Sequence, residues 1–439
     1  MRIFIVSYTY WPDVQPRSIR WQSLANYWAN NGHTVTVLTA SQPEIINAKE
    51  NKNIEIIHVP ENWFGRLRKK LSRPAVSKTK DQIVVSLSNK DNQQKRALIT
   101  IIVKKCIQFS YNLLIKKIQW PDYAWTWVMN ARREALKHLT ESKNYDVMIS
   151  VSHPFSSHLI GRAVKSKFPK LKWILDMGDP FCFLTQSPPN NFLLFDRLNQ
   201  KIEGSCFNES NGIVVTTKET KDEYLKYFFD TESKINVIPP LLSNEVSSLI
   251  RSKEQRNKKN NCIKLVFIGT LYSGIRHPSG LLKLLNAASS DVSKKIEMHF
   301  FGPENDVDTS LLNFPNISIF FHGHVTREIA LEQMLDSDFL VSIGNATKFQ
   351  LPSKLIEYAS TGKPILNISS IKNDSSSAFL SSYPFAKTFY VNNRISEEMI
   401  KELAGYLNKE VIANKSHDKV WLNKHQTHNI AREYEILFS

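Results

Sequence analysis

Short apolar runs alternate with stretches of helical periodicity along most of the chain, and this rhythm predicts the architecture before any single residue is considered. Ile3–Ser7 reads as a buried first strand. After a loop through Pro12 and Pro16, Trp21, Leu24, Ala25 and Trp28 repeat at helical spacing in Ile19–Asn30, and Thr34–Thr39 follows as a strand. A strand, helix, strand unit implies a parallel sheet whose ligands gather at the carboxyl ends of the strands. The rhythm returns in Asp146–Val151 with a helix through Val164, then in Trp173–Asp176, Ile213–Thr216 and Ile235–Ile238. A polar, basic stretch from Ser243 to Lys264 is the best linker candidate. Beyond it, Lys264–Ile268, a turn at Gly269, a helix over Pro278–Ser289 and the strands Ile296–Phe301, Ile317–Phe321 and Asp338–Ile343 repeat the opening design. The expected fold class is therefore α/β, two Rossmann-like domains facing across a cleft, residues 1–245 and 262–415.

One stretch, QLPSKLIEYASTGKPIL at residues 350–366, carries candidate chemistry. Pro352 suits the first position of a helix, Leu355, Ile356, Tyr358 and Ala359 continue it, and Gly362 closes it before the short strand Ile365-Leu366. Its first turn would offer backbone N–H groups, Ser353 and Lys354 to a phosphate, with Glu357 one turn on, placed to accept hydrogen bonds from the hydroxyls of a ribose. The alternative is an ordinary amphipathic helix in which Lys354 and Glu357 form a weak surface pair.

At the strand ends of the first half, His153 and Asp179 stand on the usual ligand edge; away from such an edge they would read as a structural histidine and a turn or cap residue. The loop after the first strand lacks a glycine-rich phosphate fingerprint. Its Asp13, Arg17 and Arg20 either face a second substrate or pack.

Residues 61–118 break the rhythm. From Arg66 to Lys80 there are seven basic residues and no acidic one, and the pattern of Gln94–Ile118 is that of a basic amphipathic helix. This is either an interfacial contact with an anionic membrane or a solvated charged face.

Composition narrows the classes. The 439 residues are 42% hydrophobic and 22% charged, as a globular chain is, and 57 basic against 41 acidic residues give a net charge of +16, which favours an anionic partner. Nucleic acid is disfavoured, because the basic residues cluster in the insert and the linker and no binding motif is recognisable. Cys106, Cys182, Cys206 and Cys262 lie far apart, which suggests neither a zinc site nor a disulfide framework. The amino end lacks the features of a signal peptide, and no apolar run approaches the ~20 residues of a spanning helix. Asp306-Val307-Asp308 resembles a metal–diphosphate element but follows a strand end, and reads as loop or capping residues.

KLVFIGTLYSGIRHPSGLLKLL, FFHGHVTREIALEQMLDSDFLVSIGN and QLPSKLIEYASTGKPIL resemble the donor domain of glycosyltransferase family 4, enzymes of the GT-B fold. YWPDVQPRSIRWQSLANYWANNGHTVTVLTA and ISVSHPFSSHLIGRAV with WILDMGDPF resemble its acceptor domain, DMGDPF standing where D-x-R-D-P-W is common. The resemblance implies transfer of a sugar from a nucleotide sugar, as co-substrate, to a glycan or lipid-linked acceptor, with retention and without an essential metal or other cofactor. It implies that Gly269, Thr270, Arg276, Ser353, Lys354 and Glu357 bind the donor, that His153 lies near the reacting sugar, and that a last helix, residues 416–439, crosses back to the first domain. With the residues singled out by their place at strand ends and loops, the expected site adds Leu351 on the donor side, Asp179 beside His153 as catalytic, and Asp13, Arg17 and Arg20 on the acceptor side. With the basic insert, it places the protein in the cytoplasm, peripheral on the inner face of the membrane. The sequence departs from the family at Phe349, where many members carry a second glutamate that holds sugar hydroxyls. A catalytically silent relative that binds sugar nucleotide or glycan is the alternative.

Overall fold

The computed structural model describes residues 1–439 except 14, 41–52, 73–115, 143, 243–260, 306, 310–311, 393 and 410–420. Among the described residues, β1 (Arg2–Ser7), β2 (Thr34–Thr39), β3 (Ile54–His58), β4 (Val147–Val151), β5 (Lys172–Asp176), β6 (Gly212–Val215) and β7 (Ile235–Val237) form one sheet in the order β3-β2-β1-β4-β5-β6-β7. The pairs β1 with β2 and β1 with β4 are parallel, Ile3 lying opposite Val35 on one side and Val147 on the other. Strands buried on both faces read as continuous apolar runs, which is why Val147–Val151 is buried throughout.

The second sheet repeats this plan. It takes β8 (Cys262–Ile268), β10 (Lys295–Phe301), β12 (Ser318–Phe321), β13 (Phe339–Ile343), β14 (Ile365–Ser369) and β15 (Ala386–Tyr390) in the order β12-β10-β8-β13-β14-β15, while β9 (Leu271–Tyr272) and β11 (Glu304–Asn305) make a separate two-stranded ribbon. Strand order reverses between β1 and β4 in the first sheet and between β8 and β13 in the second. Such reversals open a crevice at the strand ends where ligands bind.

Helix α1 (Pro16–Asn30) begins three residues before the expected Ile19, with Pro16 supplying its fixed φ at the first position. β3 and helix α2 (Trp63–Ser72) were not anticipated by the periodicity, and α2 occupies the start of the basic insert. The expected helix of Gln94–Ile118 is described only at Lys116–Ile118; the linker core, Asp306 and Cys106 lie outside the described residues.

The chain divides into two compact units, one of Met1–Ser18 with Gly32–Ile213, the other of Ile19–Asn31 with Val214–Ser439. Most of α1 therefore belongs to the second unit. Its Trp21 and Trp28 pack edge-on to Tyr434 of the last helix, Thr427–Phe438, with ring centroids 5.5 Å and 6.0 Å apart.

Candidate active site

In the second unit a cavity of about 250 Å³ opens at the β8/β13 reversal, between the ends of both strands, the Gly269–Thr270 turn, Arg276 and Pro352–Leu355. Its volume lies just below the ~300–1,000 Å³ usual for small-molecule sites. The turn is shaped by two glycines. Gly269 has φ +155° and Gly302 φ +136°, and a Cβ on Gly302 would overlap the Gly269 carbonyl oxygen. Gly302 thus lets the β10 end lie directly against the turn. Gly269 N donates to Phe301 O at 2.9 Å and Leu271 N to Pro303 O at 2.9 Å, so Thr270 supplies the one amide of this turn with no such bond among the described residues.

Arg276 lines the cavity. Its Nη2 donates to Asn345 Oδ1 at 2.6 Å and its Nη1 to Thr270 O at 3.4 Å, while the buried Nε has no partner among the described residues. Burial pushes the guanidinium pKa below its ordinary value, and among the described residues no carboxylate pairs with it. A buried cation without a counter-charge is costly, and an incoming anion removes that cost.

Lys354 also lines the cavity, but its charge is answered: Nζ donates to Glu357 Oε2 at 2.8 Å. Glu357 accepts from Arg327 Nη1 and Nη2 as well, both at 3.3 Å, and does not line the cavity. The pair foreseen as the alternative for this helix is thus formed. The helix itself is short, Leu355–Ser360, one turn later than the expected start at Pro352. Leu355 N bonds to Pro352 O at 3.1 Å in a tight turn, and the i to i+4 ladder begins with Tyr358 N to Lys354 O at 2.9 Å. Ser353 belongs to that turn, on the cavity wall, and Leu351 packs against the core on one side of the sheet. Gly362, φ +71°, ends the helix as expected.

Tyr358 joins this helix to the sheet. Ile268 N donates to its hydroxyl at 2.7 Å, and the hydroxyl donates to Ile268 O at 3.2 Å, beside the Gly269 turn. Burial raises its pKa well above the ordinary phenol value, which keeps it neutral and a hydrogen-bond donor. Asn345, Tyr358 and Gly302 escaped sequence reasoning because each acts on a residue dozens of positions away.

In the first unit the β1/β4 reversal gathers a different set. Arg17 Nε donates to Ser152 O at 2.7 Å and its Nη2 pairs with Asp176, which closes β5 and is 1% exposed. Gly178 makes room for this: a Cβ there would lie 2.6 Å from Arg17 Nε and 2.7 Å from Ser152 O. Position 178 is where the D-x-R-D-P-W pattern has its arginine, so the guanidinium of Arg17 fills space that a longer side chain at 178 would take. His153 is half-buried, its ring 5.3 Å from that of Tyr123, and Asp179 is half-buried in the loop after β5. Asp13 is half-buried too, its N–H donating to Tyr10 O at 2.9 Å. Arg17 and Arg20 both make packing contacts within the fold. Arg20 is 7% exposed, donates to Pro239 O at 2.8 Å and Tyr434 Oη at 3.3 Å, and belongs to the second unit.

Nearby, Glu61 is buried and accepts from Tyr8 Oη, from Thr126 Oγ1 at 2.7 Å and from Arg68 Nη2 at 3.2 Å. Gly65 of α2 sits directly over that carboxylate, where a Cβ would overlap it. This network fixes α2 to the strand ends.

Two doubly wound parallel sheets, each with a reversal, are the GT-B type of fold. No protein-family model matches the chain. An uncharacterized glycosyltransferase of Methanocaldococcus jannaschii is 25% identical over 228 residues, 51% of this chain and 57% of the relative. The chain thus spans little more than half the length of the curated relative it matches. Among solved structures, TarM superposes with a TM-score of 0.61 at 13% identity, over 100% of this chain and 98% of its own. WaaG, a glycosyltransferase involved in lipopolysaccharide biosynthesis, gives 0.54 at 13% identity over 100% and 99%. A trehalose-6-phosphate structure from E. coli with bound UDP-2-fluoro glucose gives 0.61 at 10% identity over 100% and 99%. At such identities the likeness is one of fold.

Proposed function

We propose that the protein is a glycosyltransferase that takes a sugar from a nucleotide sugar held at the Arg276 cavity and passes it to a glycan or lipid-linked acceptor in the making of a surface polysaccharide. The observation that carries this reading is the guanidinium of Arg276, uncompensated among the described residues, on the wall of a strand-end cavity. A nucleoside diphosphate supplies the missing negative charge, with the Thr270 amide beside it. In the transfer, the bond between the anomeric carbon and the diphosphate oxygen breaks and the acceptor hydroxyl oxygen bonds to that carbon. The nucleoside diphosphate leaves with the electron pair, and the acceptor's proton passes to the departing phosphate oxygen. Arg276 meets the developing charge as a fixed cation. Retention at the anomeric carbon and independence of metal belong to the proposal, supported by the resemblance to family 4. Its lipid-linked acceptor and cytoplasmic, membrane-peripheral setting draw on the basic residues of the insert; no helix among the described residues is long and apolar enough to cross a membrane.

Calorimetry with a panel of nucleoside diphosphates and nucleotide sugars tests the donor site. Arg276→Gln is expected to weaken the preferred ligand about tenfold or more, a loss typical of removing a buried charge partner, and Glu357→Ala to weaken it as well; unchanged affinity in Glu357→Ala would remove that carboxylate from the donor site. Wild-type protein that binds none of the panel would overturn the donor site. One observation favours a second reading: the family's sugar-binding carboxylate is absent at Phe349, whose backbone oxygen accepts from Thr220 Oγ1 at 2.9 Å. Donor binding with neither transfer nor slow hydrolysis across a broad acceptor panel would make the protein a silent sugar-nucleotide-binding relative.

A further inference from the structure

We infer that Asn345 is a positioning residue of this anion site: its neutral amide fixes Arg276 on the cavity wall while leaving the guanidinium charge for the ligand. The inference rests on the donor reading above. Asn345 is 8% exposed, and both ends of its amide are engaged. Oδ1 accepts from Arg276 Nη2 at 2.6 Å and Nδ2 donates to Gln350 O at 3.2 Å. A guanidinium only donates and a carbonyl only accepts, so these partners settle which way the amide faces.

The usual partner of a buried arginine is a carboxylate, which would hold the side chain equally well and cancel its charge. An anion entering such a cavity would then compete with a fixed counter-ion. With an amide in that place, the orientation is kept and the charge is not spent. The same residue ties two parts of the cavity together. Ala346 N donates to Ile275 O at 3.1 Å, beside Arg276, and Gln350 N is held by Thr347 Oγ1 at 3.4 Å, so loop 345–350, which carries Phe349, is closed onto the Arg276 segment. An ordered Arg276 and an ordered loop are one arrangement, with Asn345 at the joint.

The test compares wild type, Arg276→Gln, Asn345→Ala and Asn345→Asp by calorimetry with the preferred nucleoside diphosphate, its monophosphate and the bare nucleoside, alongside thermal melting of each unliganded protein. Asn345→Asp is expected to bind the diphosphate about tenfold or more weakly than wild type, the monophosphate with a smaller loss, and the nucleoside unchanged. Affinity for the diphosphate should fall in the order wild type, Asn345→Ala, Asn345→Asp, whereas Asn345→Asp should melt at or above Asn345→Ala, because both lose the Nδ2 bond to Gln350 O and only the aspartate gains an ion pair. A residue that served packing alone would lose affinity in step with melting temperature, and that result, or wild-type affinity in Asn345→Asp, would overturn the inference. If Asn345→Asp does not fold, Asn345→Ser keeps an uncharged acceptor and is expected to bind the diphosphate more tightly than Asn345→Ala; equal weakness of the two would overturn it. Binding lost in Arg276→Gln but kept in Asn345→Asp removes this inference and leaves the donor site standing. No binding by wild type removes both.

Discussion

Arg17 and Arg276 are both held by their guanidinium groups at strand ends, and they are held in opposite ways. Arg17 meets the carboxylate of Asp176 and the Ser152 carbonyl, so its charge is answered within the fold. Arg276 meets the neutral oxygens of Asn345 and Thr270, and no carboxylate among the described residues answers its charge. The first arrangement is structural and depends on Gly178. Gly178→Ala is expected to cost about 1–3 kcal/mol in urea unfolding, as overpacking against a fixed backbone does. Arg17→Ala alone leaves the buried Asp176 carboxylate without this cation and is destabilising. In the Gly178→Ala background it should cost less, by the guanidinium's share of the clash only, because the Ser152 carbonyl stays 2.7 Å from the new Cβ. A double-mutant cycle should therefore give a coupling of about 1 kcal/mol. Strict additivity would show that Arg17 does not occupy this space.

At the scale of elements, α2 and the helix Trp125–Glu141 form a basic surface with exposed apolar side chains. Trp63 is 70% exposed, Met129 63% and Leu67 41%, and Arg66, Arg132 and Arg133 are exposed with them. The two helices are joined by Asn62 N to Thr126 O at 3.2 Å and by the rings of Phe64 and Trp125, 6.1 Å apart. An exposed tryptophan with arginines and little acidic charge suits the interface of an anionic bilayer, where each basic residue contributes about 1 kcal/mol. Vesicles containing phosphatidylserine or phosphatidylglycerol are expected to carry the protein in flotation and to shift Trp63 emission to the blue, while neutral vesicles leave both unchanged. Trp63→Ser with Arg66→Glu should weaken flotation at least tenfold. Undiminished flotation of that variant would locate membrane contact elsewhere, and no flotation of the wild type would remove the membrane from the proposal.

At the scale of the whole molecule, acid stability follows from two buried histidines, one in each unit. His158 accepts no solvent: Ser150 Oγ, which receives the Trp173 Nε1 proton at 2.8 Å, lies 2.7 Å from its Nδ1, and burial pushes its pKa down to about 3. His425 Nδ1 donates to Pro240 O at 2.8 Å, and burial brings its pKa down to about 4. Unfolded histidine titrates near ~6.5, so as pH falls below that value the unfolded chain takes up protons that the folded chain refuses. Stability from these groups is complete above about pH 6.5 and is lost as pH falls through about 4 for His425 and about 3 for His158. Unfolding free energy measured between pH 7 and pH 4.5 should decline, and His158→Gln should decline less steeply, by about one proton per molecule. An unchanged slope would mean that His158 is charged in the folded protein.

Much of the fold was legible in the periodicity, because a strand buried on both faces must be apolar throughout and a helix covering it must repeat at its own spacing. That logic located β1, β2, β4, β5, β8, β10 and β13 and the glycine that ends the Leu355–Ser360 helix. It gave no warning of β3, a half-exposed edge strand whose pattern is weaker, or of α2 inside a run of positive charge. The cavity was legible in part: Gly269, Thr270, Arg276, Ser353 and Lys354 line it as a group, since local turn chemistry and strand-end position are written along the chain. Which cation keeps its charge was not. Glu357 answers Lys354 across three residues, but Arg276 is answered by Asn345 across 69. The sequence alone thus determined the layers, the strand ends and the residues that could meet an anion there. Only the tertiary structure decided which of them is uncompensated among the described residues, because charge balance in a buried site depends on neighbours in space, and those neighbours come from distant parts of the chain.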